Sequence, residues 1–510
     1  VIIEVLKDSD ASKTTLCKGS MAKGEHMKLK KVILVLCSFV FAFNVFAQNA
    51  ESSENSDASL DFSSESIEFD SKKHYFVAAG GMLLTNIVIG SWNRFGPARA
   101  SWAQVYWDDI KEPWNRKIKF DRDWYWTNFV LHPYQGGLYY LAARNSNLNW
   151  FESLIVSAAG SFMWEYFFET NSPSTNDLTY TPIGGFVTGE MVYRLGLEAN
   201  AKGHKILGYV ANPLRLYTDP ILKRAPQGPS GLLQSFSLKT GFGLAFANTW
   251  LKEPYDNCSE LFPAYGSVGL DVVYDDPYGH DSNTPYSQFE LSMQGSAGLG
   301  SGEGADSTEE KIMYSINIFS NGMLLARNPD FGENRDTTVG LVLEYDFMWH
   351  SFMEFSSLAP GFAIKQRINT ENGSFAWQAH LAGIIMGTAD YYYLRRGIFP
   401  KPDYVSCDYG YTTGAEIVEK IAYNAHSGFV FDWTVHGYAM YKYKAQKQDC
   451  DDTGWEYFAF SQASVELPVS NKVSLGLSDD FYIKYADYDN VENVFSVFNA
   501  VNFYARFKLM

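Results

Sequence analysis

Thr337-Thr-Val-Gly-Leu-Val-Leu-Glu-Tyr-Asp-Phe-Met-Trp349 alternates residue by residue: Val339, Leu341, Leu343, Tyr345, Phe347 and Trp349 occupy the odd positions, while the even ones include Thr338, Gly340, Glu344 and Asp346. Side chains of an extended chain point to opposite faces with a period of two, so the segment reads as a strand with one face suited to lipid and one to water. Residues 428–441 repeat the pattern, with Phe429, Phe431, Trp433 and Val435 opposed to Asp432, Thr434, His436 and Tyr438. The same parity holds in 287–299, 375–391, 473–485 and the last segment, where Phe503, Ala505, Phe507 and Leu509 oppose Tyr504, Arg506 and Lys508. About twelve such segments fill residues 234–510.

A soluble sandwich also alternates, but it turns its large apolar residues inward and imposes no rule on loop length. Here connections 369–374, 424–427 and 468–472 are tight, whereas 391–408, 444–454 and 485–494 are long and rich in Asp, Lys, Tyr and Gly. Short periplasmic turns and long outer loops belong to an outer-membrane β-barrel. Counting back from a periplasmic C-terminus gives an even number of antiparallel strands, about twelve, with 248–261 and 300–310 also outside. Segments 275–286 and 327–336 are long for periplasmic turns, and 411–423 alternates poorly. The inward parity collects charges of both signs, among them Glu344, Asp346, Lys365, Arg367, Asp432 and His436. Mutual pairing of such charges favours a plugged or side-chain-filled barrel over an open pore.

The other end of the chain agrees. Met27-Lys-Leu-Lys-Lys31, an apolar run over 32–43 and Val45-Phe-Ala47 read as a signal peptide, 27–47. A retained anchor is disfavoured, because the run is shorter than the roughly 20 residues a span needs. Residues 1–26 read as a non-native upstream extension, and 48–71, rich in Ser, Glu and Asp, as a disordered acidic leader. Without 1–47 the chain loses seven Lys and four acidic residues, and its formal charge moves from -17 to about -20. That argues against nucleic acid, which calls for clustered Lys and Arg. Five cysteines become three, Cys258, Cys407 and Cys450, all in outer loops. A Cys407–Cys450 disulfide and no bridge at all both stay open, and metal is not expected because no His or second Cys stands at ligand spacing. No cofactor motif is present.

Between leader and barrel the period turns helical: residues 72–225 read as a helical domain and 226–233, with Pro-Gln-Gly-Pro-Ser-Gly, as a linker. Apolar stretches 75–89, 151–169 and 183–195 all fall short of 18 uninterrupted apolar residues. They are expected to pack on one another, at the periplasmic mouth or partly inside the barrel. Ser157-Ala-Ala-Gly-Ser161 and the Gly185/Gly189 spacing permit close backbone approach.

This block carries the unusual chemistry. Asp123-Trp124-Tyr-Trp-Thr-Asn128, His132-Pro-Tyr-Gln-Gly136, Ala142-Ala-Arg144, Trp164-Glu-Tyr166 with Glu169, Ser172-Pro-Ser-Thr-Asn-Asp177, and Gly189-Glu190 with Tyr193-Arg194 follow in order. The set resembles an uncharacterised bacterial family, known only as a domain of unknown function, whose members join such a helical block to an outer-membrane barrel. The resemblance covers about 124–215, including Asn212-Pro213 and Arg215, and departs at Asn145, where a Ser is expected. It implies an envelope protein and supplies no reaction.

Glu165 and Glu169 lie one helical turn apart on an apolar stretch, so they share a face and need cations or protons. Arg144 and Arg194 are the expected partners, in a buried ion-pair network that fixes helix packing. The functional alternative is an acid–base pair with His132. His132, before a proline, is expected to cap the next helix, and Ser174 through Asn176 to Asp177 fits a capping box. No Gly-x-Ser-x-Gly, His-Glu-x-x-His or phosphate-binding glycine loop occurs. A barrel enzyme with Ser and His on its lipid-facing wall is disfavoured, since His380 and His436 share the inward parity; His350, at a strand end beside Trp349, could face the outer rim. The preferred reading is a non-enzymatic outer-membrane barrel with a periplasmic helical domain, structural or serving transport or lipid handling. Its expected partners are outer-membrane lipid and the barrel-assembly machinery. The rival is a lipid-active enzyme centred on His132, Glu165, Glu169 and Asp177.

Overall fold

The computed structural model describes residues 72–97, 99–121, 123–251, 258–279, 281–302, 310–396, 408–443 and 453–509. The signal peptide, the leader, Cys407 and Cys450 lie outside the described residues.

Twelve strands close into one antiparallel barrel: β1 (Leu233–Leu251), β2 (Cys258–Tyr274), β3 (Phe289–Gly302), β4 (Glu310–Arg327), β5 (Arg335–His350), β6 (Glu354–Thr370), β7 (Gly373–Asp390), β8 (Tyr409–Ala425), β9 (Val430–Lys442), β10 (Gly454–Pro468), β11 (Val473–Tyr488) and β12 (Val494–Lys508). Each strand pairs with its neighbours in sequence, and β12 closes on β1 from Ser237↔Lys508 to Leu251↔Val494. Closure leaves no edge strand unpaired, the condition for crossing a bilayer with strands. Phe242, Leu244, Phe362, Leu381, Leu467 and Phe503 stand exposed on the outer wall, as a lipid-facing band requires. Ring contacts at one rim, Trp250–Phe495, Tyr441–Trp455 and Tyr457–Tyr485, supply an aromatic girdle.

One end carries the tight turns β6–β7, β8–β9 and β10–β11, and the other the long 391–408 and 443–453 connections. The long 275–288 segment sits on the tight end because it is itself structured: Ser282 bridges Ala326, the Tyr286 amide donates to the Met323 carbonyl, and its hydroxyl to the Leu343 carbonyl. It extends β3 along β4. Strand β8, despite its poor alternation, pairs with β9 in unbroken register and with β7 through one register shift between Ile384 and Gly387. The long 391–408 connection begins with a short helix, α8 (Tyr392–Arg395).

The helical block forms its own unit: α1 (Tyr75–Phe95), α2 (Trp107–Lys111), α3 (His132–Asn145), α4 (Trp150–Met163), α5 (Asp177–Ala201), α6 (Lys205–Ala211) and α7 (Arg215–Leu222). Asn149 starts α4 with a capping box: its side chain accepts from the Glu152 amide at 2.9 Å while Glu152 accepts from the Asn149 amide. Helices α3 and α5 meet backbone to backbone, where a Cβ on Gly185 would stand 2.4 Å from the Gly136 carbonyl carbon. Only glycine permits that approach.

Two expectations are corrected. Helix α1 runs 21 residues, past the polar Gly90-Ser91 step to Trp92 and Phe95, and its best window has a mean hydropathy of 1.4 with 28% of residues buried. By length and composition it could cross a membrane. His132 does not cap a helix start either. It lies in a continuous helical run, because the π turn Thr127–Leu131 widens the backbone just where Pro133 lacks an N–H and would clash with the preceding turn.

Candidate functional site

The polar residues of the helical block separate into two networks. In the first, Glu190 on α5 is fully buried and accepts from Tyr140 OH and Arg144 Nε at 2.8 Å, Arg144 Nη2 at 3.2 Å and Arg194 at 2.8 Å. Arg194 is one turn along the same helix and Arg144 comes from α3, so the network pins α3 to α5. Burial alone would raise Glu190, but Arg144, Arg194 and Tyr140 outweigh it and hold the carboxyl below its ordinary value. The arginines expected to serve Glu165 and Glu169 are therefore spent on Glu190.

The second network gathers carboxyls. Glu165 lies in the π turn Trp164–Phe168, and Glu169 already adopts an extended backbone beyond it. The expected shared face is lost because the wider turn and the helix end break the i, i+4 geometry. Glu165 accepts from the Ser174 amide at 2.8 Å and Glu169 from Trp164 Nε1 at 2.5 Å. Asn176 Nδ2 donates to Asp177 at 2.9 Å and Asp121 at 3.0 Å, and Asn128 also donates to Asp121, at 2.6 Å. Ser174 Oγ accepts from the Asp177 amide at 3.3 Å. The Ser174 amide serves Glu165, so only half of the expected capping box forms. Asp121 and Asp123 complete the cluster; Asp123 opens the run of motifs and Asp121 stands two residues before it, though neither is among the site residues the sequence singles out.

Electrostatically this cluster opposes the first. Asp123, whose side chain stays exposed at the edge of the cluster, is raised by partial desolvation and then by Asp121. Burial, then Asp123, raises Glu169 to about 8. Glu165 and Asp177 are pushed well up by burial, then by Glu169 and Asp121 respectively. His132 Nε2 sits 3.7 Å from Asp177 Oδ2, but burial lowers the imidazole to about 4. Burial thus favours the neutral form of both partners, and the contact is disfavoured as an ion pair. Such a pair can store and pass protons. His132, Glu165 and Asp177 are all buried, His132 Nδ1 lying 3.4 Å from Thr181 Oγ1, Glu165 accepting from the Ser174 amide and Asp177 from Asn176. Thus His132, Glu165, Glu169, Ser174, Asn176 and Asp177 come together, and Arg144, Glu190 and Arg194 stand apart. Among the described residues no three His, Cys, Asp or Glu side chains are placed to hold a metal ion.

The barrel interior is the other candidate. Glu290 on β3 accepts from Lys365 on β6 at 3.2 Å and from Lys420 on β8. His380 on β7 meets Glu344 on β5 at 2.6 Å, and Tyr438 on β9 donates to Asp346 on β5 at 2.6 Å, with His436 3.5 Å from the same carboxylate. Arg367 bonds Asp276 at 2.9 Å and Asp336 at 2.7 Å near the tight-turn end, while Asp432 lies on β9 opposite Ser464 and Ala422. Near the long-loop end Lys484 bridges Asp390 and Glu456, and Lys442 joins Glu456 at 2.6 Å. His350 points inward too, packed against Phe352, Tyr482 and Phe498 rather than the outer rim, because the 351–353 connection folds back over the barrel end.

These contacts span the ring. Strands β4 and β10 are six positions apart in a ring of twelve, hence opposite, yet Phe319 and Phe460 stack at 5.1 Å. Asn317 on β4 donates to Tyr482 on β11 at 2.8 Å, and Gln294 on β3 to Asp480 on β11 at 2.9 Å. A polar cleft between β1–β3 and β10–β12 is lined by Lys239, Asp271, Ser292, Gln294 and Tyr504. Lys239 on β1 pairs with Asp271 on the neighbouring β2 at 2.8 Å along one wall of it.

No curated protein matches the chain. Among solved structures the barrel resembles the transport unit of the autotransporter AIDA-I from Escherichia coli (10% identity, 53% of this chain, 90% of that one, TM-score 0.26). Others are the outer membrane phospholipase A from Escherichia coli (10%, 52%, 92%, 0.20) and the NanC porin (12%, 51%, 98%, 0.21). Likeness at such TM-scores carries no argument about activity. Residues 117–220 match a family model described as Domain of unknown function (DUF3943). Over that segment, which runs from ahead of α3 into α7, the chain is similar to this domain of unknown function, here followed by a closed twelve-stranded barrel of the outer-membrane kind.

Proposed function

We propose that the barrel is a non-conducting anchor in the bacterial outer membrane, and that the specific role, envelope organisation or lipid handling, belongs to the helical block. The observation carrying this reading is the Phe319–Phe460 stack between opposite strands, flanked by cross-barrel hydrogen bonds and ion pairs. An aqueous path needs a continuous lumen, and side chains that touch across the ring interrupt it. Buried Lys and Glu in the interior require one another, so opening a path would strand charges. The test is swelling of liposomes carrying the purified full chain in an isotonic monosaccharide. Rates equal to those of empty liposomes are expected, and porin-like swelling would overturn the reading.

A second reading, a lipid-active enzyme using His132, Glu165, Glu169 and Asp177, is favoured by one observation: the His132 imidazole, its pKa lowered by burial, lies 3.7 Å from the Asp177 carboxyl, whose pKa burial raises. Because burial and Glu169 favour the neutral form of Glu165, Glu165→Gln is a near-isosteric neutral replacement and is expected to fold. An altered envelope lipid profile in cells carrying E165Q would favour the enzyme; an unchanged profile favours the structural cluster.

A further inference from the structure

We propose that the joint outer face of α1 and α4 is a lipid-contacting surface, seated against the hydrocarbon core of a bilayer. The polarity of both helices is inverted. Helix α1 exposes Phe76, Leu84, Ile87, Val88 and Trp92, while its polar Thr85 and Asn86 are buried, bonded to the carbonyls of Gly81 at 2.9 Å and Gly160 at 3.3 Å. Helix α4 exposes Phe151, Ile155 and Phe162, at spacings that make one stripe, and buries Ser157 and Ser161, bonded to the carbonyls of Gly136 at 2.9 Å and Asp177 at 3.1 Å. A helix facing water turns its polar residues out and its apolar stripe in.

The two stripes form one surface. Helix α1 runs beside α4 in the same direction: Tyr75 OH meets Glu152 at 2.8 Å at one end, Asn86 meets Gly160 midway, and Gly90 lies against Phe168 at the other. No charged residue occurs from Tyr75 to Asn93 or from Ser153 to Trp164.

Three observations choose lipid over a protein partner. The 21 residues of α1 make a rod of about 31 Å, close to the thickness of a hydrocarbon core. Basic groups stand at both ends of the apolar stripe, Lys72 and Lys73 before it, with Lys73 paired to Glu152 at 2.8 Å, and Arg94 after it, within reach of anionic headgroups. Exposed aromatics gather at the Arg94 end, Phe95, Tyr106, Trp107 and Trp114, with the guanidinium of Arg94 over the rings of Phe95 and Tyr106, an interfacial belt. The interior fits the same setting, with small residues at the helix contacts and the ionised Glu190, Arg144 and Arg194 turned inward. The surface gives the helical block a membrane contact of its own, independent of whether the barrel conducts.

The full chain, reconstituted in vesicles of phosphatidylethanolamine and phosphatidylglycerol, is labelled with an apolar carbene-generating diazirine dissolved in the bilayer, and labelled peptides are mapped. Label on residues 76–92 and 151–162, comparable to that on the strands bearing Phe362 and Leu381, with the buried Tyr139–Tyr140 segment of α3 unlabelled, is the expected result. Absence of label from the two helices while the strands are labelled overturns the proposal. So does equal labelling of the α3 segment, because a bundle with this outer face shields it.

Discussion

Replacing Glu190 by Gln keeps its volume and one acceptor for Tyr140 but removes the only anion between Arg144 and Arg194 that the network shows. The carboxylate is fully buried and the guanidinium side chains are 17% and 6% exposed, so water can replace little of what is lost. Breaking a buried pair by removing one partner costs about 3–5 kcal/mol. An apolar triple variant, Arg144→Met, Glu190→Leu and Arg194→Met, removes all three charges together and is expected to recover most of that loss, because the desolvation penalty disappears with the attraction. The assay is urea unfolding of the full chain in detergent, following helical circular dichroism, with the heat-modifiable gel shift of the barrel as an internal control. A Glu190→Gln variant within about 0.5 kcal/mol of the parent would refute the reasoning, that being the range of substitutions that break nothing. An apolar triple as unstable as the single variant would refute it equally.

The carboxyl cluster makes the helical block sensitive to pH. Glu169 has a folded value of about 8, and Glu165 and Asp177 are raised too, so the fold binds more protons than the unfolded chain and stability is lost as pH rises to 8, with the exposed Asp123 adding little. Below about 6.5 His132, which stays neutral to about 4, offsets one of those protons. The expected profile falls most steeply between pH 6.5 and 8, by about 1.4 kcal/mol per pH unit for each differential proton, and Glu169→Gln should flatten it. Gly185→Ala should destabilise the α3–α5 contact by about 1–3 kcal/mol, the cost of overpacking, read from the same unfolding curve. Glu290→Gln strands Lys365 and Lys420 inside the barrel and should lower the temperature of the gel shift, whereas substitution of exposed Phe362 by Leu should not.

The period-two pattern made the barrel legible, because a strand's two faces follow from local geometry: Glu344 and Asp346 could be assigned to one face from residues 337–349 alone. Their partners could not. His380 and Tyr438 reach them from β7 and β9, and those distances exist only once twelve strands have closed. Likewise the i, i+4 pair Glu190–Arg194 was within reach of the sequence, whereas Arg144 joins it through the rotation of α3 that the Gly136–Gly185 contact permits. The error over Glu165 and Glu169 came from assuming an ordinary α-turn where the chain makes a π turn. Its cause is tertiary. Trp164 caps Glu169 and Ser174 caps Glu165, from both sides of the break.

The central claim, a lumen closed by its own side chains, is tested most directly by planar-bilayer recording of the purified full chain beside its Phe319→Ala/Phe460→Ala variant. The parent should give no stable conductance steps, and the variant, with the stack across the ring removed, should be the first to show them. Stable, reproducible steps from the parent would contradict it.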